Sequence, residues 1–298
     1  MLLNKTNAFA PVTEKAYAKL NISLDVTARR DDGYHDMLMV MQTVSLCDEL
    51  SITPEPGERV WAVTSLPYVP GDARNLAVRA ALKFLELADD QGRGMKITLR
   101  KHIPVGAGMA GGSADAAAVL RALNRAYGFP LSSEQLLAAG ETVGSDVAFC
   151  LRGGTALAAG RGEKLTPLPS LPPCRFVICK PDFSISTPEL FRKLDNTKMN
   201  CHPDTEGILA ALSAGDLDGL CRRMYNVFED VDDRRMRTVS AAKGALLDCG
   251  ALGALMTGTG SAVFAVFRDD ESARLACENL KKEYRFCCVA EAIGPLLD

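Results

Sequence analysis

Residues 103–118 read Ile103-Pro104-Val105-Gly106-Ala107-Gly108-Met109-Ala110-Gly111-Gly112-Ser113-Ala114-Asp115-Ala116-Ala117-Ala118, with four glycines in the seven positions from 106 to 112. Before this run, Met95 to Lys101 alternates apolar and polar residues as a half-buried strand does. After it, Ala114 to Tyr127 is rich in Ala and Leu and predicts a helix, with Ser113 as N-cap and Gly128 placed to end it. The glycines therefore lie in a strand-to-helix loop. A loop without side chains brings backbone N–H groups close to a phosphate, and a helix start adds unpaired N–H groups and the positive end of the macrodipole. A tight turn alone needs fewer small residues, so the stretch predicts an anion cradle.

Two familiar loops fit less well. Gly106 to Gly111 matches G-x-G-x-x-G, but a dinucleotide fold requires a second strand after the helix, ending in an acid. Here the helix runs into Gly128-Phe129-Pro130 and a second helical stretch, Ser133 to Ala139. The spacing also approaches G-x-x-x-x-G-K-[ST], with Gly112 where the lysine must stand. A nucleotide enzyme built on this loop takes its cation from elsewhere in the chain.

Composition narrows the class. The 298 residues suffice for two domains, and 47% hydrophobic with 24% charged residues is ordinary for a globular protein. A net charge of −3 without a basic block offers no nucleic-acid surface. Three His leave little for a His-rich metal site. The ten Cys form no C-x-x-C pair and read as reduced, mostly buried thiols of a cytoplasmic protein. No signal peptide and no membrane-length apolar run is evident.

Along the chain, residues 15–27 alternate cleanly. Ala16, Ala18, Leu20, Ile22, Leu24 and Val26 face one way, predicting a strand with one buried face. Tyr17, Lys19, Asn21 and Ser23 face the other, which by itself reads as a solvated sheet face. Met37 to Val44 and Asp48 to Thr53 predict two further strands, and Asn75 to Ala88 a helix capped by Asn75. Asp146, in Gly144-Ser145-Asp146-Val147, fits either an N-cap or a functional acid. Thr155 to Leu165 predicts a hairpin, and the prolines of 167–173 mark a domain boundary, dividing 1–165 from 166–298. The second half reads as helices (205–213, 217–229, 233–247, near 270–282) on an antiparallel sheet that contains a glycine turn at 258–260. A cradle, a lysine on a polar strand face and an acid in a small-residue loop are the parts phosphoryl transfer uses. No G-x-S-x-G is present to suggest a serine hydrolase.

On four motifs, spanning nearly the whole chain, the sequence resembles the galactokinase, homoserine kinase, mevalonate kinase and phosphomevalonate kinase (GHMP) superfamily. They are Ala18-Lys19-Leu20-Asn21 with Asp32-Gly33-Tyr34-His35, Pro104 to Ser113, Gly144 to Val147, and Met256 to Ser261. The first pair is similar to the branch that phosphorylates a cytidine-diphosphate sugar alcohol on a mevalonate-independent route to isoprenoids. The resemblance implies an α+β two-domain fold, ribosomal-protein-S5-domain-2-like in its N-terminal half and ferredoxin-like in its C-terminal half. It implies ATP and Mg2+ as cofactors, a metal held chiefly by ATP with no protein ligand named, and a monomer or weak homodimer. It assigns Asp146 as general base and Lys19 as its ion-pair partner. The loop from Pro104 to Ala114, with Asn75 and Lys101, would hold ATP. Asn21 would hold the sugar alcohol, Tyr34 and Phe191 would sandwich the cytosine, and His35 would bond its edge. Thr187, Gly258, Thr259 and Gly260 would close the site. Departures from the usual pattern are Ala107 and Ala110 in the loop, Ala114 for a Ser, Ala148 for a Pro, and Cys150 for a bulkier residue. The rivals implied are another kinase or a decarboxylase of the same superfamily, or a non-catalytic binding protein.

Overall fold

Two long strands, β1 (Val12–Arg29) and β2 (His35–Pro54), form the antiparallel spine of the structure. It is a computed structural model and describes residues 9–199 and 201–297. The two strands predicted at 37–44 and 48–53 are one strand. No turn residue separates them, and pairing runs on through Tyr17↔Cys47 and Ala16↔Asp48. β2 instead changes its outer neighbour along its length. Its N-terminal half pairs with β5 (Thr155–Gly160), and its C-terminal half with β4 (Met95–Arg100). Strand β3 (Val60–Thr64) lies parallel to β4, and β6 (Lys164–Pro167) closes the predicted hairpin with β5.

The helical layer on this sheet is α1 (Leu76–Leu87), α2 (Gly111–Ala126), α3 (Ser133–Val143) and the short α4 (Val147–Arg152). α2 is buried on every side from Ala114 to Asn124. Its alanines let sheet and neighbouring helices approach closely, and its buried polar residues Asp115, Arg121 and Asn124 are hydrogen-bonded within that packing. α3 starts at a capping box between Ser132 and Gln135 and runs four residues beyond the predicted Ala139.

The proline-rich connector leads to β7 (Arg175–Lys180) and then α5 (Thr187–Leu194), a helix not predicted, begun by Pro188 in its first turn. α6 (Thr205–Ala214) follows. The helix predicted over 217–229 breaks into α7 (Leu217–Cys221), the two-residue strand β8 (Tyr225–Asn226) and a 3-10 turn at Val227–Asp230. Asn226 causes the break: its side chain accepts from Phe228 N–H and donates to the carbonyls of Met256 and Gly258. α8 (Met236–Asp248), β9 (Gly253–Met256), β10 (Val263–Phe267), α9 (Asp270–Leu280) and β11 (Phe286–Ala290) complete the chain. The second sheet is antiparallel in the order β11-β7-β10-β9, giving the expected α+β architecture of two sheets with their helices.

Two features tie the sheets together. β8 pairs parallel with β1 at Ser23 and Leu24, and the C-terminal segment bridges back at Val44↔Ala292 and Gly153↔Pro295. These contacts revise the reading of β1. Both of its faces are buried between Ala18 and Leu24, with Lys19, Asn21 and Ser23 nearly inaccessible. Bulges between Tyr17 and Lys19 and between Asn21 and Ser23 re-aim these side chains. The polar row lies beneath the glycine loop and the second half of the chain and is not solvated.

Candidate active site

The loop between β4 and α2 adopts a backbone that explains its glycines. Gly106 and Gly108 have φ of +64° and +76°. A Cβ at Gly108 would lie 2.1 Å from the Thr257 carbonyl oxygen, and one at Gly258 would lie 2.8 Å from the Gly108 oxygen. The two glycine turns, 150 residues apart in sequence, therefore interlock backbone to backbone, and Ala262 N–H donates to Ala107 O (3.2 Å). α2 begins at Gly111, earlier than predicted. Ala110 (φ +57°) stands at its N-cap with no side-chain cap, so Ser113 lies within the first turn and caps nothing. Ala114 N–H is bonded to Ala110 O (2.8 Å). The N–H groups of Gly111, Gly112 and Ser113 have no intrahelical acceptor and remain for an anion.

Lys19 and Asn21 reach this loop from β1. The Lys19 ammonium donates to Asn21 Oδ1 (2.5 Å) and Gly108 O (2.9 Å). Asn21 N–H donates to Thr257 Oγ1 (3.1 Å). The buried lysine thus lies where strand, cradle and second glycine turn meet. Asp146 is the residue before α4 and occupies its N-cap position without making a cap hydrogen bond. Its half-buried carboxylate has no hydrogen bond or ion pair among the described residues. The expected Lys19–Asp146 ion pair is not formed either: no salt bridge joins them, because the Lys19 ammonium is turned to Asn21 and Gly108 O. Both residues line one cavity of about 950 Å³, and the loop from Pro104 to Ser113 forms part of its wall.

The residues expected near the nucleotide are held tightly. Lys101 lies between two buried carboxylates, Asp48 and Asp115, with Asp115 Oδ2 at 2.5 Å. Asp48 also accepts from the N–H groups of His102 and Ile103. Burial pushes the Asp115 carboxyl up to about 7; Lys101 opposes this and Asp48 adds to it. Asp115 Oδ1 has no hydrogen-bond partner among the described residues. These charges clamp both ends of the glycine loop. Asn75 caps α1 by accepting from Ala77 N–H (3.0 Å) and donates to Pro70 O (2.8 Å), so its polar atoms are spent on the fold while it borders the cavity.

At the other end of the cavity, His35 stacks on Phe191 (centroids 4.7 Å apart, 28° between planes), and Phe228 meets Phe191 edge-on. Tyr34 is 56% exposed, with the Arg161 guanidinium 4.9 Å above its ring. Thr187 and Thr259 hydroxyls are 2.9 Å apart and tie the start of α5 to the glycine turn. Tyr34, His35, Thr187, Phe191, Gly258, Thr259 and Gly260 all line the same cavity as Lys19 and Asp146. Sequence reasoning missed Asp48, Thr257, Arg161 and Asp195. Asp48 gave no clear signal, since it is one of two adjacent acids (Asp48, Glu49) in a strand of mixed apolar and polar residues, and Asp195 gave none. No group of three His, Cys, Asp or Glu among the described residues could hold a metal ion.

The GHMP kinases N terminal domain model matches residues 75–154, and the GHMP kinases C terminal model residues 208–285. The 4-diphosphocytidyl-2-C-methyl-D-erythritol kinase of Geobacillus thermodenitrificans is 42% identical over 90% of this chain and 92% of its own. That of Listeria monocytogenes serotype 4a is 42% identical over 89% and 91%. A crystal structure of a 4-(cytidine 5'-diphospho)-2C-methyl-D-erythritol kinase superposes with a TM-score of 0.78 at 36% identity, covering 95% of this chain and 99% of that one. A homoserine kinase from Cytophaga hutchinsonii, at 21% identity and a TM-score of 0.76, shares the fold. Likeness of this extent, running from the first strand to the last sheet, decides the family: the chain belongs to the 4-diphosphocytidyl-2-C-methyl-D-erythritol kinases, a branch of the GHMP kinases.

Proposed function

We propose that this chain transfers the γ-phosphoryl group of ATP to the 2-hydroxyl of 4-diphosphocytidyl-2-C-methyl-D-erythritol, in the methylerythritol phosphate route to isoprenoids. The observation that carries the reading is one cavity wall bearing an unpaired carboxylate, Asp146, and a buried ammonium, Lys19, beside a cradle of free N–H groups. In the reaction the substrate hydroxyl oxygen bonds to the γ-phosphorus, the bond to the β–γ bridging oxygen breaks, and Asp146 takes the hydroxyl proton. An ammonium has three N–H donors. Lys19 spends two on Asn21 and Gly108, leaving one for the charge that develops on the acceptor oxygen or for Asp146. The N–H groups of Gly111 to Ser113 face the phosphate oxygens. Mg2+ would be carried mainly by the ATP phosphates, where it would neutralise their charge, since no group of three acidic, His or Cys side chains among the described residues could cage it. Tyr34 and Phe191 hold the cytosine, and Thr187 with Gly258 to Gly260 closes the site; Asn21, expected to hold the sugar alcohol, is fully buried behind the cavity wall and orients the Lys19 ammonium instead. Lys101 and Asn75 support the nucleotide end. We place the enzyme in the cytoplasm, a compartment that suits ten mostly buried cysteines, as a monomer or weak homodimer.

The test is ATP consumption with the cytidyl substrate against mevalonate and homoserine. Turnover confined to the cytidyl substrate is expected; turnover confined to the others would end this reading.

A further inference from the structure

His35 is held in a way that base binding alone does not require. Its Nε2 is 2.7 Å from Asp195 Oδ1, the residue that ends α5, and its ring lies flat on Phe191 one helical turn earlier. The other oxygen of Asp195 is 3.5 Å from the Arg29 guanidinium, and Arg29 pairs with His35 across the hairpin. A carboxylate beside a guanidinium is an acceptor only, so the proton between Asp195 and His35 belongs to Nε2. In a neutral imidazole the other nitrogen then carries a lone pair. Nδ1 has no partner among the described residues, and the ring borders the cavity beside Tyr34.

We infer that Asp195 is a positioning residue that fixes His35 in the tautomer whose Nδ1 accepts, and that this tautomer makes the site choose cytosine over uracil. The inference rests on the cytidyl substrate proposed above. Cytosine presents an amino donor at the position where uracil presents a carbonyl acceptor. An accepting Nδ1 pairs with the amine and opposes the carbonyl. Phe191 fixes the plane of the imidazole, Asp195 fixes its proton, and Arg29 lies against the other Asp195 oxygen. If the Asp195 contact served only to fasten α5 to β2, its loss would change stability and leave base preference intact.

The experiment compares kcat/KM for 4-diphosphocytidyl-2-C-methyl-D-erythritol and its uridine counterpart in wild type and in Asp195→Asn, whose amide can donate to Nε2 and favour the opposite tautomer. The wild-type preference for cytidine should fall about tenfold to hundredfold, the range of one good base-edge contact, with KM for ATP unchanged. The 15N NMR spectrum of wild type should show a pyridine-like Nδ1 and a pyrrole-like Nε2 on His35, a pattern lost in Asp195→Asn. An unchanged base preference in the folded variant, or a protonated Nδ1 in wild type, overturns the inference. The NMR measurement decides alone if the variant does not fold. Wild type inactive on both nucleotides with the expected tautomer would instead remove the substrate reading, and the selectivity claim with it.

Discussion

Lys19 and Asp146 are the residues on which we propose that turnover depends, and they should fail differently when replaced. Lys19→Met removes the ammonium that bonds Asn21 and Gly108 O. It should lower kcat strongly, and it should cost about 1–3 kcal/mol of stability through the buried acceptors it leaves unpaired. Kinetics would contradict the assignment if only KM moved, and thermal or denaturant unfolding checks the stability term. Sequence revealed these two residues because each lies in a short motif whose neighbours are small or alternate. It gave no sign of how they meet. The ion pair expected between them is replaced by Lys19 bonds to β1 and the glycine loop, and that geometry depends on bulges that no residue pattern announces. Asp195 and Asp48 were illegible for a related reason: their partners lie 160 and 53 residues away.

The elements that matter most are the glycine loop and its buried clamp. Gly108→Ala would place a methyl group 2.1 Å from the Thr257 oxygen at a backbone φ of +76°. The two glycine turns must then part, so ATP binding should fall by at least tenfold, as isothermal titration would show; unaltered affinity would mean that the interlock does not shape the cradle. The clamp also makes a pH prediction. The Asp115 carboxyl holds its proton more tightly folded than unfolded, since burial raises it from 3.8 to about 7. Its stabilising contribution is complete below about pH 4 and is lost as the pH rises through 7. Asp115→Asn, which cannot ionise, should therefore gain Tm relative to wild type between pH 4 and pH 8; parallel Tm curves would contradict this. At this scale the strand, loop and helix around residue 106 were readable from composition and periodicity. The start of α2 and the whole of α5 were not. A left-handed Ala110 leaves no capping signature, and the eight residues of α5 are too few for a clear period.

In the whole molecule, the polar face of β1 is covered by the glycine loop at Lys19 and by the second half of the chain at Asn21 and Ser23. The proline connector separates the two sheets in sequence, yet β8 pairs with β1 and the residues after β11 bridge to β2 and Gly153. We propose that the division near residue 165 separates architectural halves that fold as one unit. Residues 1–165 expressed alone should then lack cooperative unfolding, since Asn21 and Ser23 would lose their cover; a sharp two-state transition of that fragment by circular dichroism would refute this. Two sheets and their helices could be anticipated from sequence, but the crossing of β8 could not, because two residues carry no periodicity. The most direct measurement of the account is single-turnover transfer from ATP to 4-diphosphocytidyl-2-C-methyl-D-erythritol in Asp146→Asn, with ATP affinity measured alongside. Asp146→Asn should bind ATP normally and transfer phosphate more slowly by about 10²–10⁴-fold, the range of a lost general base. A rate near that of wild type would contradict it.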